Sequence, residues 1–396
     1  MNTPLHIAIV TETYPPEVNG VAMTLGRMVQ GLLQRGHRVS LTRPRQHAED
    51  MPPASALETT TLVRGLPIPG YAGLKFGLPA ARLLCRQWRA ERPDVVQVVT
   101  EGPLGASAIG AARELGIPVV SEFHTNFHAY SRHYGFAWLE NLVALHLRRL
   151  HNRSRMTLVP SHQLGVDLVR RGYRGVRVVA RGVDTRLFNP ARRSDALRSS
   201  WNAAGDDLVV AHVGRLAPEK NLSLVLSTFE AIHRYAPRAR LLLVGDGPLR
   251  RKLEKAHPQH IFAGMRHGED LATHYASADL FLFPSMTETY GNVTLEALAS
   301  GLPVVAYRMA AAAELIRHGD NGMLAAPGAS DQFVRAALDF VTRPAARRRA
   351  AEAAPQSVAA LDWELIHDRL VVALRDAIAS PALPATHESI YRFLPD

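Results

Sequence analysis

The sequence predicts an α/β protein built from two consecutive doubly wound parallel-sheet domains. Three observations carry this. The chain has 396 residues, more than one typical domain holds. Short apolar runs of strand length alternate with amphipathic helical stretches through both halves, the pattern of a sheet covered by helices on its two faces. The first such unit, a strand at Leu5 to Val10, a helix from Gly20 to Gln34 and a strand at Arg38 to Thr42, is a βαβ crossover with a glycine at the strand-to-helix junction.

Composition narrows the classes of function. Nearly half the residues are hydrophobic, so sizeable cores can form, and the single cysteine, Cys85, allows no internal disulfide and suits a reducing compartment. The start, MNTPLHIAIVTETYPP, has no basic leader and too short an apolar run for a signal peptide or membrane span. A cytoplasmic protein is expected, with any membrane contact peripheral. Formal charge is +10, and all of the excess falls in residues 1–182, which hold 22 Lys and Arg against 12 Asp and Glu; the remainder has 24 of each. Such a surface suits nucleic acid, anionic lipid or an acidic substrate, and equally a solvated arginine-rich face. Nucleic acid is disfavoured, because no basic motif interleaved with aromatics and no recognition helix is present.

Along the first half, Thr11 to Asn19 is a Pro-rich loop. The three-glycine dinucleotide fingerprint is missing at Gly20, which either lets backbone approach a phosphate or relieves a tight turn. Residues Gln46 to Pro79 read as irregular and rich in Pro and Gly, a candidate binding loop. A helix near Ala80 to Glu91, a strand at Asp94 to Val99, a helix ending at Leu115 and a strand at Pro118 to Phe123 follow. His124 thus falls at the C-terminal end of a strand, where open parallel sheets keep their ligand crevice, although a lone histidine there is more often structural. The helix from Ala137 to Arg149 sets Trp138, Leu142 and Leu145 beside Arg148 and Arg149; an anionic membrane surface and an ordinary core contact both fit it. Strands at Met156 to Val159 and Val176 to Ala180 flank a helix, and Arg181 to Arg193 looks like the crossing between domains.

In the second half strands are expected near Leu208 to Val213, Ala239 to Val244, Ile261 to Ala263, Leu280 to Phe283 and Val304 to Ala306. The stretch ADLFLFPSMTETYGNVTLEALASG, Ala278 to Gly301, joins a buried strand to a helix through a polar loop. Asn292 reads as the helix N-cap, and Gly301 with Pro303 as the stop. The N–H groups of Tyr290, Gly291, Asn292 and Val293 form a possible anion cradle at a helix N-terminus, against the plainer reading of ordinary polar punctuation. Ala345 to Ala360 reads as a surface helix, Asp362 to Ile378 as a closing helix, and Ser380 to Asp396 as a tail whose Ile390, Tyr391 and Phe393 dock.

Directly after the strand at Leu208 comes GRLAPEKN. Arg215 and Lys220 would project from the same sheet edge as the loop that carries Glu288. Two cations and a helix N-terminus suit a diphosphate, bound and, still more, departing with extra charge.

These residues resemble the family-four retaining glycosyltransferases of GT-B fold, including bacterial glycolipid synthases and mannosyltransferases. The likeness runs through PPEVNGV (Pro15 to Val21), HTNF (from His124), GVDTRLFNP (from Gly182), GRLAPEKN (from Gly214), VGDGP (from Val244) and two glutamates eight apart, Glu288 and Glu296. It implies two Rossmann-like domains facing a cleft: 1–182 for the acceptor, 183–361 for the nucleotide sugar, and a C-terminal helix in 362–396 returning to the first. It gives Arg215 and Lys220 the donor diphosphate, and Glu288 with the following backbone the sugar hydroxyls. Glu296 takes the ribose, His124 sits by the reacting centre, and Gly20 allows close approach beside the phosphate. The base would lie near Gly245, Gly247 and Met265. The acceptor hydroxyl would attack the face the diphosphate leaves, with a phosphate oxygen taking the proton, so neither glutamate is a glycosidase-type nucleophile. One departure is YRMAAAAELI, Tyr307 to Ile316, where relatives carry glycines; it puts that loop's geometry in question.

The expected activity is therefore transfer of a hexose from UDP-glucose or GDP-mannose to a membrane lipid such as diacylglycerol, a phosphoinositide or a glycolipid. No cofactor and no metal are expected, since no Asp-x-Asp pair follows a strand. A soluble acceptor, or nucleotide-sugar binding without catalysis, is the alternative. The enzyme is expected at the inner face of the cell membrane, held through its basic N-terminal domain.

Overall fold

The structure, a computed structural model, describes residues 3–17, 19–47, 49–51, 55, 57–67, 75–124, 137–288 and 290–380, with backbone alone at 137–140. Two compact units emerge: the chain up to Arg181 with the helix Trp363–Ala379, and Gly182–Asp362.

In the first unit β1 (His6–Val10), β2 (Arg38–Pro44) and β3 (Glu58–Val63) form one half of a parallel sheet. A small antiparallel pair, β4 (Gly65–Pro67) and β5 (Lys75–Gly77), stands apart from it. The other half is β6 (Val95–Val98), β7 (Val119–Glu122), β8 (Met156–Val159) and β9 (Val176–Val178), and the full order is β3-β2-β1-β6-β7-β8-β9. β6 is buried along its whole length, as a strand covered on both faces must be. The helix Gly20–Gln34 turns Ala22, Leu25, Met28, Val29 and Leu32 inward at helical spacing. Its start is fixed by Asn19, whose side chain accepts from the N–H groups of Val21 at 3.1 Å and Ala22 at 2.9 Å.

The helix Trp363–Ala379 buries Ile366, Leu370, Val371 and Leu374 in this unit. Full burial of each such side chain is worth about 1.5–3 kcal/mol, whereas the exposed pairs of Arg35 with Glu364 and Asp368 contribute about 0–1 kcal/mol each, so packing holds the helix in place.

The second unit is a six-stranded parallel sheet of β10 (Val209–Val213), β11 (Arg240–Val244), β12 (Ile261–Gly264), β13 (Leu280–Phe283), β14 (Val304–Tyr307) and β15 (Gly322–Ala325), ordered β12-β11-β10-β13-β14-β15. Its strands alternate between two cores. Val209, Ala211 and Val213 face the side packed by Leu295 and Leu298 of helix Asn292–Ala299, while Val210 faces Val225, Phe229 and Phe333. No helix among the described residues is long and apolar enough to cross a membrane.

Three expectations are corrected, and one strand, β15, was not expected. Residues 46–79 are not irregular throughout: β3 is a half-exposed edge strand, so ETTTLV carries threonines where an interior strand would carry an apolar run, and β4 with β5 are three residues each. β15, GMLA, lacks β-branched residues and gave no strand signal despite complete burial. Ala345 to Ala360 is not one surface helix; a helix over Pro344–Ala353 gives way to a 3₁₀ turn at Pro355–Leu361, and Ala350, Ala354 and Val358 are buried, their small side chains having read as surface. Asn292 is not the N-cap: Gly291, in the left-handed region at φ 95°, holds that place and Asn292 opens the helix. The docking expected of Ile390, Tyr391 and Phe393 lies outside the described residues.

Candidate functional site

The site of the second unit follows from its topology. β10 pairs with β11 on one side and β13 on the other, so the strand order reverses there, and the loops leaving β10 and β13 open in opposite directions at the sheet's C-terminal edge. The first loop carries Arg215 and Lys220, the second Ser285 and Glu288. Sequence positions some 70 apart therefore meet. Lys220 Nζ forms an ion pair with Glu288 Oε1, each side chain about four-fifths buried. Ser285, itself buried, donates to the same oxygen at 2.8 Å. Lys220 and Ser285 both bond Oε1, and among the described residues no hydrogen bond reaches Glu288 Oε2.

Below the pair lies a ring stack. His212 of β10 is fully buried and donates from Nδ1 to the Leu282 carbonyl of β13 at 3.0 Å, tying the two strands together. Its burial pushes its pKa down to about 4, so the ring is neutral near pH 7. It stacks on Phe283, centroids 6.2 Å apart, and Lys220 Nζ sits 5.8 Å from the Phe283 centroid. Arg215 is different: it is 60 % exposed, with Glu219 3.8 Å away, so its cation stands at the mouth and is hydrated.

Glu296 lies one helical turn deeper than the loop. Tyr275 donates its hydroxyl to Glu296 Oε2 at 2.9 Å. Dense surrounding protein pushes the carboxyl up to about pKa 7, and the tyrosine hydroxyl pulls weakly the other way. The helix N-terminus at Gly291 and Asn292 faces the same sheet edge as Glu288, and Tyr290 holds the neighbouring loop by accepting from Ala311 N–H at 2.9 Å.

Gly245 and Gly247 have a steric reason to be glycine. A Cβ on Gly245 would lie 2.0 Å from Gly214 O, and one on Gly247 2.5 Å from Leu216 O. Backbone bonds carry the sheet beyond its strands here, Leu216 N to Asp246 O at 2.9 Å and Gly245 N to Gly264 O at 2.8 Å. These glycines set the position of the Arg215 loop. Met265, next in line, is 49 % exposed, an apolar surface of the kind a base stacks on.

In the first unit His124 follows β7. Its Nε2 donates to Glu122 Oε2 at 2.8 Å, and its Nδ1 accepts from Arg181 at 2.9 Å; an arginine only donates, so this assigns the tautomer. Glu122 is held in turn by Gln97 of β6. Gly20 is exposed, its φ is not positive, and a Cβ would meet nothing nearer than Arg181 Nη1 at 4.0 Å. Turn geometry does not demand glycine there. Residues 125–136, Thr125 and Asn126 included, lie outside the described set.

Sequence reasoning passed over Ser285, His212, Tyr275 and Arg181. Only Ser285, three residues before Glu288 in the same loop, carried a local signal; the others are set by pairing across strands and helices.

With this geometry in hand, comparisons with known proteins place the chain. Two parallel-sheet α/β units with these strand orders make a GT-B transferase fold: a sucrose-phosphate synthase structure from Thermosynechococcus elongatus superposes with a TM-score of 0.74 at 18% identity, covering 95% of this chain and 99% of that one. A family model described as "Glycosyltransferase Family 4" matches residues 18–187, and one described as "Glycosyl transferases group 1" matches residues 207–343. A GDP-mannose-dependent alpha-mannosyltransferase of Mycobacterium tuberculosis is 34% identical over 376 residues, 93% of this chain and 95% of that protein. An alpha-monoglucosyldiacylglycerol synthase of Acholeplasma laidlawii is 26% identical over 344 residues, 81% and 84% of the two chains. The chain belongs to the family-four glycosyltransferases.

Proposed function

We propose that the protein transfers a hexose, with retention at the anomeric carbon and without a metal, from a nucleoside diphosphate sugar to a lipid acceptor, with GDP-mannose the first donor to test and UDP-glucose the second. The observation that carries this is the meeting of Lys220 and Glu288 at the switch point of the second sheet. Lys220 and Arg215 supply the positive charge that a departing diphosphate needs, and the helix N-terminus at Gly291 adds to it. Glu288 Oε2 takes a sugar hydroxyl, Glu296 the ribose, and Met265 with Gly245 and Gly247 borders the base. The acceptor oxygen bonds to the anomeric carbon as the carbon–phosphate-oxygen bond breaks, and its proton passes to the leaving phosphate oxygen. His124 and Gly20 serve the reacting end in the first unit. The relatives named for GDP-mannose and for diacylglycerol support the choice of donor and acceptor.

Peripheral attachment to an anionic membrane at the cytoplasmic face completes the proposal. In the helix Ala137–His151, Leu147 and Leu150 are buried, whereas Leu142 is 54 % and Val143 41 % exposed, and Arg149 is exposed about two turns further along. Apolar contacts beside arginines suit anionic lipid headgroups. The test incubates purified protein with radiolabelled GDP-mannose or UDP-glucose and vesicles holding diacylglycerol, phosphatidylinositol or a glycolipid, with and without EDTA. Label in the lipid fraction, unchanged by EDTA, is expected; label confined to free sugar or a soluble acceptor would overturn the lipid assignment.

A further inference from the structure

Arg181, the last residue of the first unit before the chain leaves it, is only 5 % exposed. Its guanidinium forks across two segments far apart in sequence. Nη1 donates to Gly20 O at 3.0 Å, at the start of helix Gly20–Gln34, and to Thr24 Oγ1 at 2.9 Å, one turn on, while Nη2 donates to His124 Nδ1 at 2.9 Å. From His124 the chain of hydrogen bonds runs on through Glu122 to Gln97. The buried cation is thus balanced by a buried carboxylate through one imidazole, which is how a protein tolerates both charges in its interior.

We propose that Arg181 is a positioning residue for glycosyl transfer: it sets His124 and the Gly20 backbone at a fixed spacing and holds the His124 ring in its Nε2-protonated form. It does not touch substrate itself. The space beside it is a cavity of about 10 Å³ among Thr24, Met28, Glu122, His124 and Leu158, room for about one water and no more. The fork is what matters. Lysine is a single point charge on a flexible stem and reaches either Gly20 O or His124 Nδ1, whereas the planar guanidinium spans both.

The proposal rests on the glycosyl-transfer reading, with His124 beside the reacting centre, and the experiment separates the two. Arg181→Lys and Arg181→Gln are compared with wild type for transfer rate, for binding of GDP by calorimetry and for melting temperature. Wild type without turnover overturns the functional reading. With wild type active, both variants are expected to lose about tenfold to a hundredfold in kcat, the scale of a misplaced reacting group, while GDP affinity, set in the second unit, stays within about twofold. Full kcat in either variant overturns the proposal. A measurement on wild type alone guards against a variant that fails to fold: the ring nitrogen shifts of ¹⁵N-histidine-labelled full-length protein, assigned by loss of one signal set in His124→Gln, must show His124 protonated on Nε2 with Nδ1 an acceptor. A protonated Nδ1 also overturns it.

Discussion

Lys220 and Glu288 neutralise each other at the reversal point of the second sheet, 68 residues apart in the chain, with Ser285 fixing the carboxylate oxygen they share. At the proposed site a bound diphosphate brings about two negative charges against the one on Glu288, so the donor would compete with the carboxylate for the lysine. Glu288→Gln removes the competitor. It is expected to bind GDP at least as tightly as wild type in calorimetry while losing about a hundredfold or more in transfer rate, since its sugar contact acts on the reacting part of the donor. Weaker GDP binding in that variant would show that the ion pair prepares the site rather than competing for it.

The turn at Gly245 has no space for a methyl group, and its φ of 131° is unfavourable for any other residue. Gly245→Ala is expected to cost about 1–3 kcal/mol, read as a fall of several degrees in melting temperature, and to displace the Arg215 loop, so that GDP binding weakens as well. A melting temperature equal to wild type would contradict the close approach of Gly214 and Gly245.

Ala310 is the reverse case. It sits at φ 47°, in the left-handed region, at the head of the helix Ala310–Leu315. A non-glycine residue there costs about 1–2 kcal/mol, and glycine costs about 0.4–1 kcal/mol through the unfolded chain. Ala310→Gly is therefore expected to raise stability by up to about 1 kcal/mol in urea unfolding, with transfer unchanged. A drop in stability would show that Ala310 is not strained.

Burial pushes the Glu296 carboxyl up to about 7 in the fold, from an ordinary value of 4.5. Below pH 4.5 both states are protonated and the shift has no effect. As pH rises from 4.5 to 7 the unfolded state loses its proton first, so this group's contribution to stability falls across that window. In the proposed contact, ribose hydroxyls donate to the Glu296 carboxylate, so the ionised form is the one expected to bind. GDP-mannose affinity is expected to rise between pH 6 and 8 and to lose that slope in Glu296→Gln; the same slope in both proteins would place the titrating group elsewhere.

The doubly wound architecture was legible because strands such as LFLF and the LLLV of β11 are continuous apolar runs, the mark of burial on both faces. Arg215, Lys220 and Glu288 stood out because they follow such strands directly, at the edge where parallel sheets bind ligands. The half-exposed β3 and the small-residue β15 carry no such mark. His212, Tyr275 and Arg181 were hidden for a different reason: each acquires its partner through strand pairing or helix packing, by which Tyr275 meets Glu296 21 residues away and Arg181 meets His124 57 residues away, and no local spacing encodes that.

Titrating GDP-mannose into wild type and into the Arg215→Ala, Lys220→Ala double variant is the most direct test of the diphosphate site. Removing two charge-assisted contacts, each worth about 1.5–3 kcal/mol, predicts a loss of affinity of at least about a hundredfold in a variant that melts near the wild-type temperature. Equal affinity in the two proteins would mean that the donor phosphates bind somewhere other than the strand ends of β10 and β13.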